Sequence, residues 1–342
     1  MNKVAVVGST GYVGGELVRL LSQHPMVDVA VVTSNSYKGQ AYEDVYPHFK
    51  KNIDLVCEDE LKEDYDVIFL ALPHSHSSKW VNRERLKNSK IIDLGADYRL
   101  SYDVYKNWYT VEHESKDLID EAVYGLSEWQ REKIKDASLI ANPGCYVTAS
   151  LLTLLPLLKE NAVDKDNIII DAKTGVTGAG RSLSLGTHYT EVNENVKAYN
   201  LYKHRHKPEI DEIILKLTDV ETNVLFTPHL VPMNRGILAT IYLDIKKGMT
   251  QEKVREVYEK YYSQEKFIRL LADGEYAQTR WVKGSNYCDI SFQVNEDYNK
   301  LICVTAIDNI LKGAAGQAVQ NMNIAMGFKE ELGLQMIPLF PV

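Results

Sequence analysis

A single cysteine stands where a short apolar run ends and a helix-periodic segment begins. The run Ser138–Ala141 has the length and composition of a buried strand, and leucines recur at helical spacing between positions 151 and 158. Cys145 lies between them in Asn142-Pro143-Gly144-Cys145. We therefore predict that Cys145 sits near a helix N-terminus, with Asn142 as N-cap and Pro143 at the first helical position.

The position at a helix N-terminus gives this thiol a chemical use. Unpaired backbone N–H groups and the positive end of the helix dipole favour a thiolate and lower the pKa of Cys145. A thiolate attacks acyl carbon, and the same N–H groups, with the Asn142 side chain, could bind the oxyanion that results. The alternative is a small core residue, because free cysteines are often buried.

A second reactive cluster lies in Tyr202–Ile210, where two histidines, three basic residues and a glutamate fall within nine positions. His204 or His206 could exchange protons with the thiol and its adducts, with Glu209 orienting the ring. A His-x-His metal site is the alternative. We predict no metal, because the cysteine chemistry requires none.

The cysteine and the histidine cluster must be positioned by a fold, and the pattern at the start of the chain predicts part of that fold. The apolar strand Val4–Val7 leads into Gly-x-x-Gly-x-x-Gly and then a helical pattern, which is the setting of a dinucleotide-binding turn. The glycines let backbone N–H groups approach a pyrophosphate, and a plain tight turn is the alternative. The cofactor contacts expected here are Gly8, Ser9, Thr10, Gly11, Tyr12, Val13 and Gly14.

The loop after the second strand, Val29–Val32, carries no carboxylate to bind the ribose hydroxyls of NAD. Ser34, Ser36 and Lys38 would instead suit a 2′-phosphate, which favours NADP over NAD. An ordinary polar loop remains the alternative.

Two further runs, Tyr65–Pro73 and Lys90–Leu94, are apolar almost throughout, as in strands covered on both faces. The sequence thus predicts an α/β fold with a Rossmann-type doubly wound parallel sheet. Leu72, Pro73 and His74 would contact the cofactor, because ligands bind at the carboxyl ends of such strands. Arg99 could bind an anionic substrate group, although most arginines are simply exposed.

Beyond Cys145 the pattern changes to alternating strands, which indicates a second α+β domain with a mostly antiparallel sheet. The predicted strands are 168–170, 224–226, 237–245, 289–294 and 301–307, and the predicted helices are 250–262 and 308–326. The loop Lys173–Ser182 has glycines, hydroxyls and basic residues that could bind a second phosphate, or it is a flexible hinge.

Composition narrows the function classes. The 342 residues exceed the usual size of one core, so two domains are expected. A net charge of −8 without a basic block argues against nucleic-acid and anionic-membrane partners. The four cysteines are scattered, and no apolar run is long enough for a signal peptide or a membrane span, so we expect a cytoplasmic protein.

Taken together, seven motifs resemble those of N-acetyl-gamma-glutamyl-phosphate reductases (type 1) of arginine biosynthesis, in register along nearly the whole chain. They are Gly8–Gly14, Ala71–His74, Asp97–Arg99, Asn142–Tyr146, Lys173–Arg181, His204–Ile210 and Lys312–Asn323. Two positions depart from that family: Asn35 and Gly95 stand where arginine and serine are frequent. The first departure shifts the expected NADP contacts to Ser34, Ser36 and Lys38.

The resemblance implies an NADP-binding Rossmann domain of residues 1–145 plus 309–342, interrupted by a substrate-binding and oligomerisation domain of residues 146–308, usually in a tetramer. It assigns Cys145 as nucleophile and places the acid and base group within His204–Glu209. Further cofactor contacts are expected from Gly175 and Asn309. Substrate contacts are expected from Arg99, Asn142, Thr177, Gly178 and Arg181.

The implied reaction is NADPH-dependent reduction of N-acetyl-L-glutamyl 5-phosphate through a Cys145 thioester. The nearest alternatives are the same chemistry on aspartyl phosphate, or on a carrier-bound aminoadipyl or glutamyl phosphate. His204–Ile210 argues against the aspartyl substrate. A regulator that senses dinucleotides without catalysis is an alternative of another class, for which an intact Cys145 would be superfluous.

Overall fold

The computed structural model describes residues Met1–Pro341 and divides the chain into two compact units. One unit comprises Met1–Pro143 and Ala314–Gln335, and the other comprises Gly144–Gly313 with the residues from Met336 onward. The helices are α1 (Tyr12–Leu21), α2 (Tyr42–Val45), α3 (Arg83–Asn88), α4 (Tyr102–Trp108), α5 (Ser127–Asp136), α6 (Cys145–Lys159), α7 (Tyr189–Val192), α8 (His206–Thr218), α9 (Gln251–Tyr262) and α10 (Gly316–Ala325).

The first unit is built on a seven-stranded parallel sheet. Its strands are β1 (Asn2–Val7), β2 (Val27–Thr33), β3 (Cys57–Glu58), β4 (Val67–Leu70), β5 (Lys90–Asp93), β6 (Val123–Tyr124) and β7 (Leu139–Ala141). They lie in the order β3-β2-β1-β4-β5-β7-β6, and each neighbouring pair is parallel. The chain runs from β1 to β2 on one side and later returns to pair β4 with β1 on the other. This reversal marks the carboxyl ends of β1 and β4 as the expected ligand-binding crevice.

The second unit is built on a mixed sheet of seven strands. They are β8 (Ile169–Thr174), β9 (Lys197–Ala198), β10 (Leu225–Leu230), β11 (Ile237–Asp244), β12 (Ile268–Leu270), β13 (Cys288–Asn295) and β14 (Lys300–Ile307). The order is β12-β13-β14-β11-β8-β10-β9, with antiparallel pairing except for β12 with β13 and β8 with β10. The predicted fold class, a parallel doubly wound sheet plus a mostly antiparallel second sheet, is confirmed.

Helix α6 is the central helix of the second unit. It packs on β11 and β14 and against helices α8 and α9. The leucines that predicted one apolar face lie in a helix whose residues 146–158 are all buried. Its hydroxyl side chains are satisfied within the core; Ser150, for example, bonds back to the carbonyl of Tyr146 at 2.8 Å. A helix buried on every side gives its first residue a fixed position.

The last predicted helix, 308–326, is interrupted. Asp308 accepts hydrogen bonds from the N–H groups of Ile310 and Leu311 at 2.9 and 3.1 Å, and a π-helical turn over Leu311–Ala315 precedes α10. In this turn the Gly313 N–H bonds to the carbonyl of Asp308 at 3.0 Å. Apolar periodicity in a sequence does not distinguish a π-helical turn from an ordinary helix, so the interruption was not predicted. Such turns are frequent at functional sites. Within Met1–Pro341, no helix combines the length and apolarity needed to cross a bilayer.

Candidate functional site

The glycine turn of the first unit has room for backbone only at Gly8 and Gly14. Gly8 adopts φ +79°, and a Cβ placed there would lie 2.5 Å from the carbonyl oxygen of Ala71. A Cβ on Gly14 would lie 2.3 Å from the Gly8 carbonyl oxygen. The turn ends at Gly11, the N-cap of α1, so the first N–H groups of that helix have no intrahelical acceptor. This cradle of backbone donors fits the pyrophosphate of a dinucleotide.

Two tyrosines that sequence reasoning missed hold the carbonyl side of this turn. The Tyr42 hydroxyl donates to the Ser9 carbonyl at 2.9 Å, and the Tyr46 hydroxyl donates to the Thr10 carbonyl at 3.0 Å. Both tyrosines follow β2 in a segment without a strong helical or strand period. Because a peptide's C=O and N–H point in opposite directions, fixing the Ser9 carbonyl directs the Thr10 N–H to the other side, while the Gly11 N–H bonds to the Gly8 carbonyl at 3.2 Å within the turn.

The other predicted cofactor residues of this unit surround the turn. Ser34 is buried, and its hydroxyl lies 2.7 Å from the hydroxyl of Thr10. Ser36 is exposed, and Lys38 forms an exposed ion pair with Asp59. Leu72 approaches Gly8 and adjoins Pro73 and His74 in the loop after β4. Their individual roles in binding the cofactor stay predictions.

The motif Asp97–Arg99 is buried and holds loops in place. Asp97 accepts from the N–H groups of Ser75 and Ser78 at 2.7 and 2.9 Å, which fixes the loop after β4. Arg99 is 5% exposed and donates to the carbonyls of Leu94 and Asn142 at 2.8 and 2.7 Å. These bonds give Arg99 a structural task, and its contact with substrate stays a prediction.

Asn142 is also held by the first unit. Its Nδ2 donates to the Ala314 carbonyl at 3.2 Å, and its Oδ1 accepts from the Asn321 side chain at 3.0 Å. The predicted N-cap at Asn142 is therefore wrong. Pro143 disfavours helical geometry in the residue before it, and the cap is Gly144, with α6 beginning at Cys145.

In the second unit Cys145 is half-buried at the first position of α6. The N–H groups of Cys145 and Tyr146 belong to the first turn, where a helix offers them no carbonyl acceptor. The other three cysteines, Cys57, Cys288 and Cys303, are buried. Burial raises the pKa of Cys303 to about 12, so that thiol is not poised for nucleophilic attack.

The first turn of α8 meets the first turn of α6. The Glu209 carboxylate accepts the Gly144 N–H at 2.9 Å and is 2% exposed. The His206 ring covers Gly144 so closely that a Cβ on this glycine would lie 2.5 Å from His206 Nε2. Of the predicted catalytic residues, the structure therefore brings Glu209 and His206 to the residue next to the thiol.

His204 lies behind His206 among aromatic rings. Its ring centroid lies 5.4 Å from that of Tyr199, 5.2 Å from that of Phe226 and 4.8 Å from that of His206. Burial, with the nearby Arg205 charge, lowers the pKa of His204 to about 4. A ring in this setting is neutral at physiological pH.

The predicted phosphate loop is fastened to a neighbouring loop by Asn309. The Asn309 carboxamide accepts the Gly236 N–H at 2.8 Å and donates to the Thr177 hydroxyl at 3.0 Å. Gly175 has no room for a side chain, because a Cβ would lie 2.6 Å from the Asn234 carbonyl oxygen. Gly178 and Arg181 are exposed at the end of this loop. Contacts of these residues with substrate or cofactor stay predictions.

Gly313 is a third residue, after Tyr42 and Tyr46, that sequence reasoning did not assign to the site. A Cβ at this position would lie 2.8 Å from the Cβ of Cys145. The π-helical turn thus brings backbone directly against the nucleophile. The glycines of the motif Lys312–Asn323 were the available signal.

The described geometry combines a backbone cradle for a dinucleotide in one unit with a half-buried thiol, a histidine and a carboxylate in the other. Two family models match these parts of the chain. The description "semialdehyde dehydrogenase, NAD binding domain" matches residues 3–137, and "semialdehyde dehydrogenase, dimerisation domain" matches residues 145–309.

The N-acetyl-gamma-glutamyl-phosphate reductase of Alkaliphilus metalliredigens is 49% identical over 346 residues, which cover 100% of both chains. The chain belongs to this reductase family. A second reductase of the family, from Campylobacter jejuni, is 48% identical over 97% of this chain and 98% of its own.

Solved structures support the reductase fold at greater distance. Aspartate semialdehyde dehydrogenase II of Vibrio cholerae, in complex with ASA, has a TM-score of 0.72 at 17% identity and covers 96% of this chain and 98% of its own. The aspartate semialdehyde dehydrogenase of Candida albicans, solved with NADP, has a TM-score of 0.68 at 16% identity and covers 95% of this chain and 98% of its own. At these identities the likeness concerns the fold alone.

Proposed function

We propose that this reductase family member converts N-acetyl-L-glutamyl 5-phosphate into N-acetyl-L-glutamate 5-semialdehyde and phosphate, with NADPH as reductant. The observation that carries the proposal is the meeting of α6 and α8 at Gly144, with Cys145 on one side and His206 and Glu209 on the other. Acyl-phosphate reduction requires a nucleophile, a proton donor and a reductant site, and the reductase has a candidate for each.

The first steps use the thiol and the helix end. The Cys145 thiolate attacks the acyl-phosphate carbon, the carbon–sulfur bond forms, and phosphate leaves with its bonding pair, so a thioester remains. The N–H groups of the first turn of α6 face negative charge as it develops on the carbonyl oxygen. The exposed end of the loop with Gly178 and Arg181 is the proposed contact for the departing phosphate.

The cofactor, held over Gly8–Gly14 with Ser34, Ser36 and Lys38 at its 2′-phosphate, supplies a hydride when bound. We assign His206 rather than His204 to the proton, because His206 Nε2 lies directly above Gly144. His206 protonates the thiohemiacetal oxyanion and takes the proton back as the carbon–sulfur bond breaks. The aldehyde and the Cys145 thiolate are then released. Glu209, bonded to the Gly144 N–H, keeps the two helix ends together.

The reverse reaction tests this activity. Purified protein would be mixed with N-acetylglutamate semialdehyde, phosphate and either NADP or NAD, and the nicotinamide absorbance followed. We expect reduction of NADP that depends strongly on phosphate and weakens when the acetyl group is absent. Equal rates without phosphate would overturn acyl-phosphate chemistry. A preference for aspartate semialdehyde or for a carrier-bound substrate would assign one of the alternatives.

Replacement of the nucleophile separates an enzyme from a dinucleotide sensor. We expect Cys145→Ser to lower turnover by at least about a thousandfold, because serine is a far weaker nucleophile without a dedicated base. NADPH binding, measured by fluorescence titration, should persist. Cys57→Ala, a change at a buried cysteine in the other unit, is the matched control. Undiminished turnover of Cys145→Ser would contradict the proposed mechanism.

We also propose that the reductase is a homo-oligomer, a tetramer by resemblance to its family, in which one contact covers the open face of the second sheet. Leu225, Ile169, Tyr242 and Ile302 lie side by side on neighbouring strands β10, β8, β11 and β14. Each is about 40% exposed, whereas α6 covers the opposite face at β11 and β14. A contiguous apolar stripe of this kind is typical of a protein contact surface.

A further inference from the structure

His204 caps the helix that carries the proposed acid. Its Nδ1 lies 3.1 Å from the backbone N of His206, the first residue of α8, and its own carbonyl accepts the Lys207 N–H at 3.0 Å. The first N–H groups of a helix have no intrahelical acceptor. His204 therefore satisfies two of them, and its Nδ1 must be unprotonated to accept a hydrogen bond.

The surroundings of His204 fix its ring. Tyr146, Tyr199 and Phe226 present their rings edge-on, with interplanar angles of 84°, 68° and 71°. The Tyr199 hydroxyl lies 3.3 Å from that of Tyr146, which donates to the His229 carbonyl at 3.1 Å. The aromatic enclosure comes from α6, β10 and the segment between β9 and α8, so three parts of the second unit hold one imidazole.

The charged and titratable groups around this ring oppose its protonation. Arg205 adds a positive charge next to it in the chain, and burial together with that charge lowers the pKa of His204 to about 4. Tyr199 and Tyr146 are neutral phenols, because burial raises the pKa of Tyr199 to about 12 and raises that of Tyr146 further. His206 is a further titratable neighbour in contact with the ring.

We propose that His204 is a positioning residue, whose unprotonated Nδ1 fixes the first turn of α8 and thereby the places of His206 and Glu209. His206 handles the proton. This inference rests on the proposed function and assigns separate tasks to the two histidines of the motif.

Three variants distinguish positioning from proton transfer. In His204→Asn the side-chain oxygen can accept the N–H two residues ahead, as in an Asx turn, so the cap is kept without an imidazole. In His204→Leu the bulk is roughly kept and the acceptor is lost. His206→Asn removes the proposed acid. For each variant, kcat and KM would be measured from pH 5 to 9, with NADPH affinity and circular dichroism as controls for folding.

We expect His204→Asn to retain kcat within about threefold, with the acid limb of the pH profile unchanged, because the cap persists. His204→Leu should lower kcat by about ten- to a hundredfold, and His206→Asn by a hundredfold or more, as general acid–base catalysis contributes about that much. Loss of activity in His204→Asn equal to that in His206→Asn would overturn the proposal, as would full activity of His204→Leu. Failure of the proposed function is a different result, namely wild-type protein without phosphate-dependent turnover.

Discussion

Gly144 shows how much a single missing side chain can matter. Its φ of −67° and ψ of 147° are open to any residue, so glycine is not required by backbone strain. What glycine provides is space for His206, whose Nε2 would lie 2.5 Å from a Cβ at this position. A side chain at position 144 would therefore displace His206, the proposed proton donor, and leave its imidazole chemically unchanged.

We predict that Gly144→Ala lowers kcat by about a hundredfold, the usual contribution of a well-placed acid and base, because the His206 ring must swing away. The free energy of unfolding should change by less than about 1 kcal/mol, since a histidine side chain rotates readily. Steady-state kinetics and thermal unfolding check the two expectations.

Gly186→Ala is the matched control, because a Cβ there meets its nearest neighbours only at 3.7 Å. It should behave as wild type. If Gly144→Ala kept full turnover, the observed position of His206 would not be required for catalysis, and another residue would be the general acid.

At the scale of elements, the glycine turn is a rigid backbone structure held from two directions. Gly8 packs against the carbonyl of Ala71, the residue after β4, while Tyr42 and Tyr46 donate to the carbonyls of Ser9 and Thr10. The Tyr42 ring is fully buried and packs against Phe49 at 5.4 Å between centroids. The segment after β2 thus fixes the peptides of the turn that we propose for the pyrophosphate.

We predict that Tyr42→Phe weakens NADP binding about fivefold, because one net hydrogen bond is worth about 1 kcal/mol and its loss frees the Ser9 peptide to rotate. The maximal rate with saturating cofactor should change less than about twofold, since the reacting groups are untouched. Titration of NADPH fluorescence measures the dissociation constant directly.

Tyr65→Phe serves as control. Tyr65 is also buried, but it precedes β4 and so lies at the amino ends of the strands, whereas the glycine turn follows the carboxyl end of β1. An unchanged dissociation constant for Tyr42→Phe would mean that the turn keeps its orientation without the phenol.

Local sequence predicted the elements with strong periodicity and the residues with distinctive chemistry. Most strands of both sheets, the helix after Cys145, and the motif with His206 and Glu209 follow from patterns within about ten residues. The two- and three-residue edge strands, such as β3 and β6, are too short to show a period. Tertiary pairing alone defines them.

Partners distant in the chain were not predictable from one sequence. Asn142 resembles an N-cap by type, yet its carboxamide bonds to Ala314 and Asn321, more than 170 positions away. Arg99 resembles an anion clamp, yet two of its bonds go to backbone carbonyls. In each case residue type indicated a hydrogen-bonding side chain, and only the fold could indicate its partner.

At the scale of the whole molecule, the open face of the second sheet exposes the apolar stripe that we propose as a subunit contact. We predict that Tyr242→Lys shifts the reductase toward smaller species, because burying a large apolar side chain contributes about 1.5–3 kcal/mol and a lysine replaces that with a charge in every copy. Analytical ultracentrifugation at several concentrations measures the change.

Tyr189→Lys is the control for charge and composition, since Tyr189 is 75% exposed in α7 and lies outside the strands that carry the stripe of Leu225, Ile169, Tyr242 and Ile302. An unaltered sedimentation coefficient for Tyr242→Lys would place the subunit contact on another surface.

The start-to-start meeting of α6 and α8 has an electrostatic consequence as well. Each helix directs the positive end of its macrodipole toward Gly144, so two partial positive charges coincide near the thiol. A protein of net charge −8 repels an anionic acyl phosphate at long range. The Glu209 carboxylate, bonded to the Gly144 N–H, already offsets part of this positive charge, and the remainder favours an anion at contact distance.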